Sequence, residues 1–562
     1  MAIAAVVLVM VQSICEIFLP TLMASIVDEG IVYGNTRHIL SVGAVMLVVA
    51  AFGMSTSFIG ARYSSRVAAG FARDLRNRIF SHVTNFSLHE FDKVGTATLI
   101  TRTTNDVTQV QNVLFMSLRL MVRAPIMAIG GIVMAVAQDA KLSLVFVAAI
   151  PLLGAVIGII SAKGMPLFKL VQQKLDKLNL VTREGLTGIR VVRAFNRTEY
   201  EEKRFGDANR DLMQTTIRVN RIMASMEPFM SVTFNLTTVA IVWFGGLRID
   251  QGFLQVGSMM AFIQYAMHIM FALMMLSMML VTIPRASVSA SRIAEVLSMK
   301  PEIKEPEVPV EPVEDRGVVT FDKVSFSYPG AEAPAISNVT FTARPGEVTA
   351  IIGGIGSGKS TLIRLLLRFY DVTEGSISID GIDVRHMTQQ SVRERIGYVP
   401  QTALLFTGSV GENLRYGRPE ASDEELTRAA ESAQAAGFIS ELDGGYDAPI
   451  AQGGTNLSGG QKQRLTIARA LVRRPRIYVF DDNFSALDFK TDAKVRMALR
   501  NETADATVLI VAQRVSTIMD AAQIIVLDAG RVAGIGTHRE LLESCEIYRE
   551  IVASQLSEEA IA

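Results

Sequence analysis

Residues 351–361 read IIGGIGSGKST, and the architecture of the second half of the chain follows from them. The stretch satisfies the phosphate-loop pattern G-x-x-x-x-G-K-[ST]. Glycine lets the backbone curl so that successive N–H groups converge on a phosphate. The lysine would reach the β- and γ-phosphates of a nucleotide, and the serine hydroxyl would bind Mg²⁺. We therefore predict ATP and Mg²⁺ as cofactors, bound by Gly353, Gly354, Ile355, Gly356, Ser357, Gly358, Lys359, Ser360 and Thr361.

The sequence on either side of this loop supports the prediction. Residues 347–352 (EVTAII) are typical of a short buried strand, and residues 361–366 (TLIRLL) of a helix whose positive end faces the anion. A glycine-rich turn without a ligand is the alternative, and the strand–loop–helix setting disfavours it.

A second apolar strand, residues 476–482 (RIYVFDD), ends in carboxylates. In phosphate-loop ATPases such a strand supplies an acid that holds Mg²⁺ opposite the serine of the loop. The sequence therefore places Asp481 beside Ser360 at the metal.

Length, charge and cysteine content limit the remaining possibilities. A chain of 562 residues contains more than one domain. Its formal net charge is zero, so no polybasic surface argues for nucleic acid as a partner. The two cysteines, Cys15 and Cys545, lie far apart in the sequence and are interpreted as inert thiols rather than as a disulfide or a metal site.

Six stretches of the first half are apolar and long enough to cross a bilayer, which needs about 20 residues each. Short connections alternate with two long polar loops that carry many lysines and arginines. The positive-inside rule places both long loops and both termini in the cytoplasm. The predicted spans are residues 2–27, 39–59, 114–137, 142–160, 228–247 and 256–283.

Polar residues within these spans are expensive to bury and are candidates for a substrate cavity or an ion relay. Hydrogen bonding between helices is the alternative; it is favoured for the amides and the histidine, whereas a functional role is favoured for Glu16. If Glu16 lines the cavity, its replacement by Gln should lower the transport of cationic compounds. Methionines of the last span suit a surface that repacks around varied apolar ligands. The candidates are Glu16, Asn235, Gln264, His268, Met267 and Met274.

Composition divides the chain into three parts. Residues 1–299 form the membrane domain with six helices, residues 300–316 (KPEIKEPEVPVEPVEDR) form an extended linker rich in proline and acid, and residues 317–562 form the nucleotide-binding domain. Residues 317–328 and 336–343 are predicted as antiparallel strands. The fold class is thus an α-helical membrane domain followed by an α/β phosphate-loop ATPase domain.

The segment Leu457, Ser458, Gly459, Gly460 and Gln461 opens a helix just before the strand that ends in Asp481. A Ser-Gly-Gly turn at a helix N-terminus is a second anion site, one that cannot reach the phosphate loop of its own domain. This LSGGQ is the signature of ABC ATPases. Over essentially its whole length the chain resembles an ABC exporter half-transporter.

Other motifs carry the same resemblance. Tyr328 in FSYPG lies where the family stacks adenine, and Gln401 in YVPQ matches the Q-loop, which contacts Mg²⁺ and the attacking water. Asp488 in SALD matches the D-loop. Residues 91–106 and 184–205 resemble the two intracellular loops whose short coupling helices dock on nucleotide domains.

The resemblance implies a dimer in which each ATP lies between the phosphate loop of one chain and the LSGGQ of the other. It implies export of hydrophobic or amphipathic compounds, such as drugs, lipids or peptides, from a bacterial plasma membrane. Import is disfavoured by the fused arrangement, and a soluble ABC ATPase is excluded by the six spans.

Three departures from the family pattern stand out: two affect the hydrolytic machinery, and the third, residues 449–454, affects the region that contacts the coupling helices. Asp482 stands where a catalytic glutamate is usual, and Gln513 stands where a switch histidine is usual. Residues 449–454 (PIAQGG) replace a glutamate–arginine pair that precedes the signature. We therefore predict the degenerate half of a heterodimeric exporter, whose partner is a second half-transporter with an intact glutamate and histidine. An active homodimer and an ATP-gated regulatory or channel-like protein are the alternatives.

Overall fold

The computed structural model describes residues 1–555, in which six helices are long and apolar enough to cross a membrane. Each predicted span is confirmed as helical, and the helices run well beyond the apolar stretches, as the helical pattern of the polar loops indicates. Their bounds are Ala2–Ile31, Thr36–Val83, Thr96–Gln138, Leu144–Thr187, Thr198–Asp250 and Val256–Ser298.

Several of these long helices are built from consecutive segments. The third contains two wider turns, at Arg102–Asp106 and Ser117–Met121, and the fifth contains a junction near Ser225. The α-helices of this half of the chain, including the short α3 and α8 between the long helices, are α1 (Ala2–Ser25), α2 (Thr36–Val83), α3 (Leu88–Val94), α4 (Thr96–Thr101), α5 (Val107–Met116), α6 (Val122–Gln138), α7 (Leu144–Thr187), α8 (Ile189–Ala194), α9 (Thr198–Ala224), α10 (Met226–Asp250) and α11 (Val256–Ser298).

Packing divides the chain into two units. One contains Met1–Val83 and Ala97–Ser298, and the other contains Thr84–Thr96 and the residues from Met299 onward. The second unit therefore takes in α3, which a single boundary at residue 299 assigns to the membrane domain.

In the membrane unit, polar contacts fix the short connections between helices to neighbouring helices. Asp28 accepts hydrogen bonds from the backbone N–H groups of Gly257 (2.6 Å) and Ser258 (3.0 Å), and so caps the first turn of α11. Asp139 pairs with Arg248 at 2.5 Å and accepts from the N–H of Leu142. Both carboxylates are buried, so each depends on these partners.

The second unit contains the predicted α/β domain. Its parallel six-stranded sheet, with one antiparallel edge strand, has the order β12-β11-β3-β10-β9-β6, and an antiparallel sheet has the order β2-β1-β4-β5. The predicted antiparallel pair is confirmed, with Phe321 opposite Phe341. The strands are β1 (Val319–Phe326), β2 (Ile336–Ala343), β3 (Val348–Gly353), β4 (Glu374–Ile379), β5 (Ile382–Asp383), β6 (Ile396–Val399), β7 (Gly408–Ser409), β8 (Pro449–Ile450), β9 (Ile477–Asp481), β10 (Thr507–Val511), β11 (Gln523–Asp528) and β12 (Arg531–Gly536).

The helices of this unit cover the sheets and bury an apolar core on each side of β3, β9 and β10. Because β3 and β9 both run parallel to β10, the loops that leave their carboxyl ends meet at one edge of the sheet. The helices are α12 (Lys359–Leu366), α13 (Gln389–Glu394), α14 (Val410–Arg415), α15 (Asp423–Ser432), α16 (Ala436–Glu441), α17 (Gly459–Arg473), α18 (Phe489–Glu502), α19 (His538–Ser544) and α20 (Glu546–Gln555).

The predicted linker has no helix or strand, as expected, but it is packed onto the nucleotide domain. Arg368, whose side chain is only 2% exposed, donates to the carbonyl oxygen of Lys304 at 3.0 Å. Ser391 donates to Glu311 at 2.6 Å, and Ile303 is buried. Proline and acid indicated an extended chain correctly; the buried arginine that fixes it was not visible in the linker's own sequence.

The short helix α3 also belongs to this unit. Leu88 packs against the core that contains β1 and β2. Glu90 accepts from the N–H of Ser87 at 2.8 Å and from the N–H of Glu302 at 3.0 Å. Although burial alone raises the pKa of Glu90, these hydrogen bonds hold it below the ordinary value. The helix that resembles a coupling helix is thus fixed by a charged cap.

Candidate nucleotide site and membrane cavity

The phosphate loop joins β3 to α12 and has the shape that an anion cradle requires. Gly356 (φ +81°) and Gly358 (φ +98°) adopt left-handed backbone conformations, and a Cβ on Gly358 would lie 2.9 Å from the carbonyl oxygen of Ala335. A Cβ on Gly354 or Gly356 would meet nothing within 4 Å, so the inner face of the loop is open. The buried Ser357 hydroxyl has no hydrogen-bond partner among the described residues. These features fit a bound phosphate chain.

Lys359 closes the loop on itself. Its ammonium group donates to the carbonyl oxygens of Gly353 (2.8 Å) and Gly354 (2.7 Å). Burial lowers the pKa of Lys359, and the nearby Asp482 and Asp481 oppose that shift. A phosphate would replace two neutral acceptors with a charged one, which strengthens the hydrogen bonds.

Asp481 and Ser360 lie together as the sequence predicts. The Ser360 hydroxyl donates to the Asp481 carboxylate at 3.3 Å, and Asp481 is buried at the end of β9. Burial raises the pKa of Asp481 above its ordinary value, despite the hydrogen bond from Ser360. A hydroxyl and a carboxylate are oxygen ligands of the kind Mg²⁺ prefers, so this pair fits the metal.

The three predicted hydrolytic positions converge on one carboxylate. One oxygen of Asp482 accepts from the amide of Gln513 at 2.6 Å and from the amide of Gln401 at 3.2 Å. Burial raises the pKa of Asp482, and the hydrogen bond from Gln401 and the charge of Lys359 partly offset this. Asp482 has a positive φ of 49°, a conformation that costs aspartate less than most residues. Both glutamines are therefore engaged with the acid they flank.

The LSGGQ segment forms the N-terminus of α17. Ser458 accepts from the N–H of Gln461 at 3.3 Å, and Gln461 in return accepts from the N–H of Ser458 at 2.8 Å. Leu457 is buried, whereas a Cβ on Gly459 would meet nothing within 4 Å. The first turn of α17 thus presents its amide groups to an open space. Asp488 caps α18 in a similar way, accepting from the N–H of Thr491 at 3.0 Å.

Tyr328 lies at the far side of the phosphate loop, where the resemblance places the adenine. Its hydroxyl lies 3.0 Å from that of Thr361 and accepts from Arg364 at 3.3 Å. Its ring meets those of Phe326 and Tyr370 edge-on, at 4.9 and 5.4 Å between centroids. The ring is only partly buried by these contacts, so part of it stays accessible.

Known proteins match both halves of the chain. The family "ABC transporter transmembrane region" matches residues 2–274, and the family "ABC transporter" matches residues 336–485. An uncharacterized ABC transporter ATP-binding protein of Mycobacterium tuberculosis is 46% identical over 551 residues, which are 97% of this chain and 94% of the relative. The chain belongs to the ABC transporter family.

More distant relatives define the type of ABC transporter. A solved structure of a bacterial Atm1-family ABC exporter with ATP bound aligns with a TM-score of 0.81 and 28% identity, covering 99% of this chain and 98% of the other. A multidrug efflux ATP-binding/permease protein of M. tuberculosis is 32% identical over 545 residues, 96% of this chain and 45% of that protein. The chain is therefore a multi-pass, ATP-hydrolysing ABC exporter subunit of a bacterial plasma membrane, as predicted.

Within the exporter's membrane unit, Glu16 is not a lone acid. It forms an ion pair with Arg123 of α6 at 2.7 Å and accepts from Gln12 at 2.9 Å. His268 is half-buried, with Glu16 and Arg123 as its charged neighbours. The sequence analysis overlooked Arg123 because apolar residues surround it in the third span. Because Arg123 balances the charge of Glu16, a cation at this position would have to compete with that ion pair.

Removing one member of this ion pair should destabilise the exporter more than removing both members. Glu16→Gln or Arg123→Gln leaves one charge without its partner at membrane depth, and we expect a loss on the order of 2 kcal/mol from each. The double variant should recover most of that loss. Thermal unfolding of the purified transporter in detergent measures all three. Additive losses in the double variant would contradict the coupling.

Two of the predicted cavity residues line a real cavity. A space of about 670 Å³ lies among α9, α10 and α11, and seven methionines line it, including Met267 and Met274. Glu227, which the sequence analysis also missed, is the one ionisable residue of its wall. The volume is that of a pocket for a drug-sized molecule.

The other candidates do not line this cavity. Glu16 and His268 belong to the charged cluster with Arg123, as described above. Asn235 donates weakly to Ser231 of the same helix at 3.5 Å, and Gln264 is half-buried on α11. The structural interpretation therefore fits the two amides better than a role in a substrate pocket.

Proposed function

We propose that this chain is the degenerate-site subunit of a heterodimeric exporter of hydrophobic or amphipathic compounds. Residues 1–299 act as its membrane domain and residues 317–562 as its nucleotide-binding domain. The observation that carries the proposal is the arrangement around Asp482, whose carboxylate is held by Gln513 at 2.6 Å and by Gln401 at 3.2 Å.

This arrangement is poorly suited to hydrolysis. Aspartate is one methylene shorter than glutamate, so its carboxylate lies about an ångström further from an attacking water, and displacement on that scale can cost about a hundredfold in rate. Gln513 can donate a hydrogen bond to a γ-phosphate but cannot carry a charge near neutral pH. One of its two amide N–H groups is already engaged with Asp482.

The binding groups are nevertheless intact. Lys359 and the open phosphate loop would hold the triphosphate, and Ser360, Asp481 and Gln401 would hold Mg²⁺, which neutralises charge on the β- and γ-phosphates. The site is therefore equipped to bind ATP. We expect ATP to stay bound there for longer than a competent site takes to hydrolyse one ATP molecule.

The intact LSGGQ gives this chain its role in turnover. Ser458 and the open first turn of α17 would complete the ATP site of a partner that supplies the glutamate and the histidine. The partner is thus a second ABC half-transporter. Its own signature, which faces this chain's phosphate loop, is predicted to be altered.

The pairing is tested by asymmetric mutation of the purified heterodimer. Replacing the partner's catalytic glutamate with glutamine should nearly abolish ATP turnover, whereas Asp482→Asn should change it less than threefold. Phosphate release, measured with both proteins at equal expression, is the readout. Equal losses from the two substitutions would instead indicate an active homodimer-like arrangement with two equivalent sites.

The methionine-lined cavity is the proposed substrate pocket. Flexible, polarizable side chains can repack around ligands of different shape, and one of the chain's relatives in M. tuberculosis is a multidrug efflux protein. Met267→Ala with Met274→Ala should lower the transport of a hydrophobic dye into inverted vesicles about tenfold. Met260→Ala, on the same helix but away from this cavity, is the control. Equal effects of both variants would argue against the pocket.

A further inference from the structure

The last described helix, α20, is docked by one face onto the nucleotide domain. Tyr548 and Val552 are 0% and 1% exposed, and they lie one turn apart on that face. Gln555 follows Val552 by three residues, so it extends the same face at the end of the helix. The amide side chain of Gln555 therefore faces the part of the nucleotide domain that packs against the last turn of α20.

Beneath that turn lies the loop of residues 512–517, which we term the switch loop because it contains Gln513. The amide nitrogen of Gln555 donates to the carbonyl oxygen of Gln513 at 2.8 Å, and the N–H of Val515 donates to its amide oxygen at 2.9 Å. Only an amide side chain offers a donor and an acceptor side by side in one plane. Gln555 is thus hydrogen-bonded to the backbone of the switch loop on both sides of Arg514.

These two bonds act on the backbone from which the Gln513 side chain projects. Arg514 adds two further contacts, a hydrogen bond to the carbonyl oxygen of Ser485 at 3.3 Å and a cation–π contact with the Phe489 ring at 5.3 Å. The Gln513 side chain ends 2.6 Å from Asp482, which is itself a charged neighbour of Lys359 of the phosphate loop. The position of its donor therefore depends on a residue that is 42 positions away in the sequence.

We propose that Gln555 is a positioning residue for the γ-phosphate end of the nucleotide site. By fixing the switch loop, it keeps the amide of Gln513 where it can meet either Asp482 or a γ-phosphate. The loop then distinguishes ATP from ADP, because only ATP has a group within its reach. This role does not depend on heterodimer formation or on which of the two sites hydrolyses.

The test measures binding of Mg-ATP and Mg-ADP by calorimetry to the full-length chain in lipid nanodiscs. Gln555→Ala should weaken ATP about fivefold and change ADP by less than twofold. Gln555→Glu keeps the acceptor for Val515 but loses the donor to Gln513, so its effect should be intermediate. Ser554→Ala is the control, because that hydroxyl donates to the carbonyl oxygen of Ile551 within its own helix.

A double-mutant cycle separates positioning from a merely structural role. In the Gln513→Ala background, Gln555→Ala should have no further effect on ATP, because the side chain through which it acts is gone. Additive effects would overturn the proposal. Equal weakening of ATP and ADP, or unchanged ATP binding in Gln555→Ala, would overturn it as well.

Discussion

We expect the double substitution Asp482→Glu and Gln513→His to raise ATP hydrolysis at this chain's own site by about a hundredfold. The glutamate extends the carboxylate toward the attacking water, and the histidine supplies a side chain that can carry charge. Both changes are needed, because the two groups share one hydrogen bond of 2.6 Å in the present chain. Either single variant should gain less than tenfold.

The measurement requires a heterodimer in which only the ATP site of this chain can hydrolyse ATP. Phosphate release is followed in a heterodimer whose partner carries its catalytic glutamate as glutamine, so that residual turnover reports on the phosphate loop of this chain. Asp481→Asn in the same background is the control, because loss of the metal ligand should remove any gain. A double variant that binds ATP but hydrolyses no faster would show that the opposing signature limits the site.

The second large effect concerns Gly459. We expect Gly459→Asp to lower turnover of the assembled exporter at least a hundredfold, because a carboxylate would repel the partner's phosphates at the first turn of α17. The fold of this chain should tolerate the change. A Cβ on Gly459 meets nothing within 4 Å, and an acidic residue at a helix N-terminus is stabilising for the helix.

Gly437→Asp provides a matched control. It also lies in the first turn of a helix, α16, and a Cβ there likewise meets nothing within 4 Å. Turnover of this variant should match that of the unchanged exporter, and Mg-ATP affinity at the phosphate loop should stay within twofold in both variants. Full activity of Gly459→Asp would mean that LSGGQ does not act on the partner's ATP.

Local patterns were enough to predict the parts of this chain that local physics determines. Hydropathy identified the six spans, and the strand–loop–helix sequence around Lys359 identified the nucleotide loop together with its flanking elements. The helix predicted to open at LSGGQ likewise begins at Gly459. Each of these features depends on residues that are close together in the sequence.

Contacts between distant residues could be predicted where two motifs of one nucleotide site indicated them, as for Ser360 and Asp481, but not elsewhere. Gln401, Asp482 and Gln513 were each recognised, but the hydrogen bonds that join them cross 81 and 31 positions. The pairing of Glu16 with Arg123 spans 107 positions and adds a charged partner that was not predicted. Side-chain type alone does not show which charge balances which, because that depends on how the helices pack.

The anchored linker changes the mechanics of the chain between its two parts. A free segment from Met299 to Arg316 could extend by about 60 Å, at about 3.5 Å per residue. Glu302 bonds to Glu90 and Lys304 bonds to Arg368, so the linker is fixed to the nucleotide-binding unit from the fourth residue after α11 onward, which limits the slack to about 10 Å. The connection is therefore short. A displacement of the nucleotide-binding domain by more than that distance must move the end of the sixth membrane helix with it.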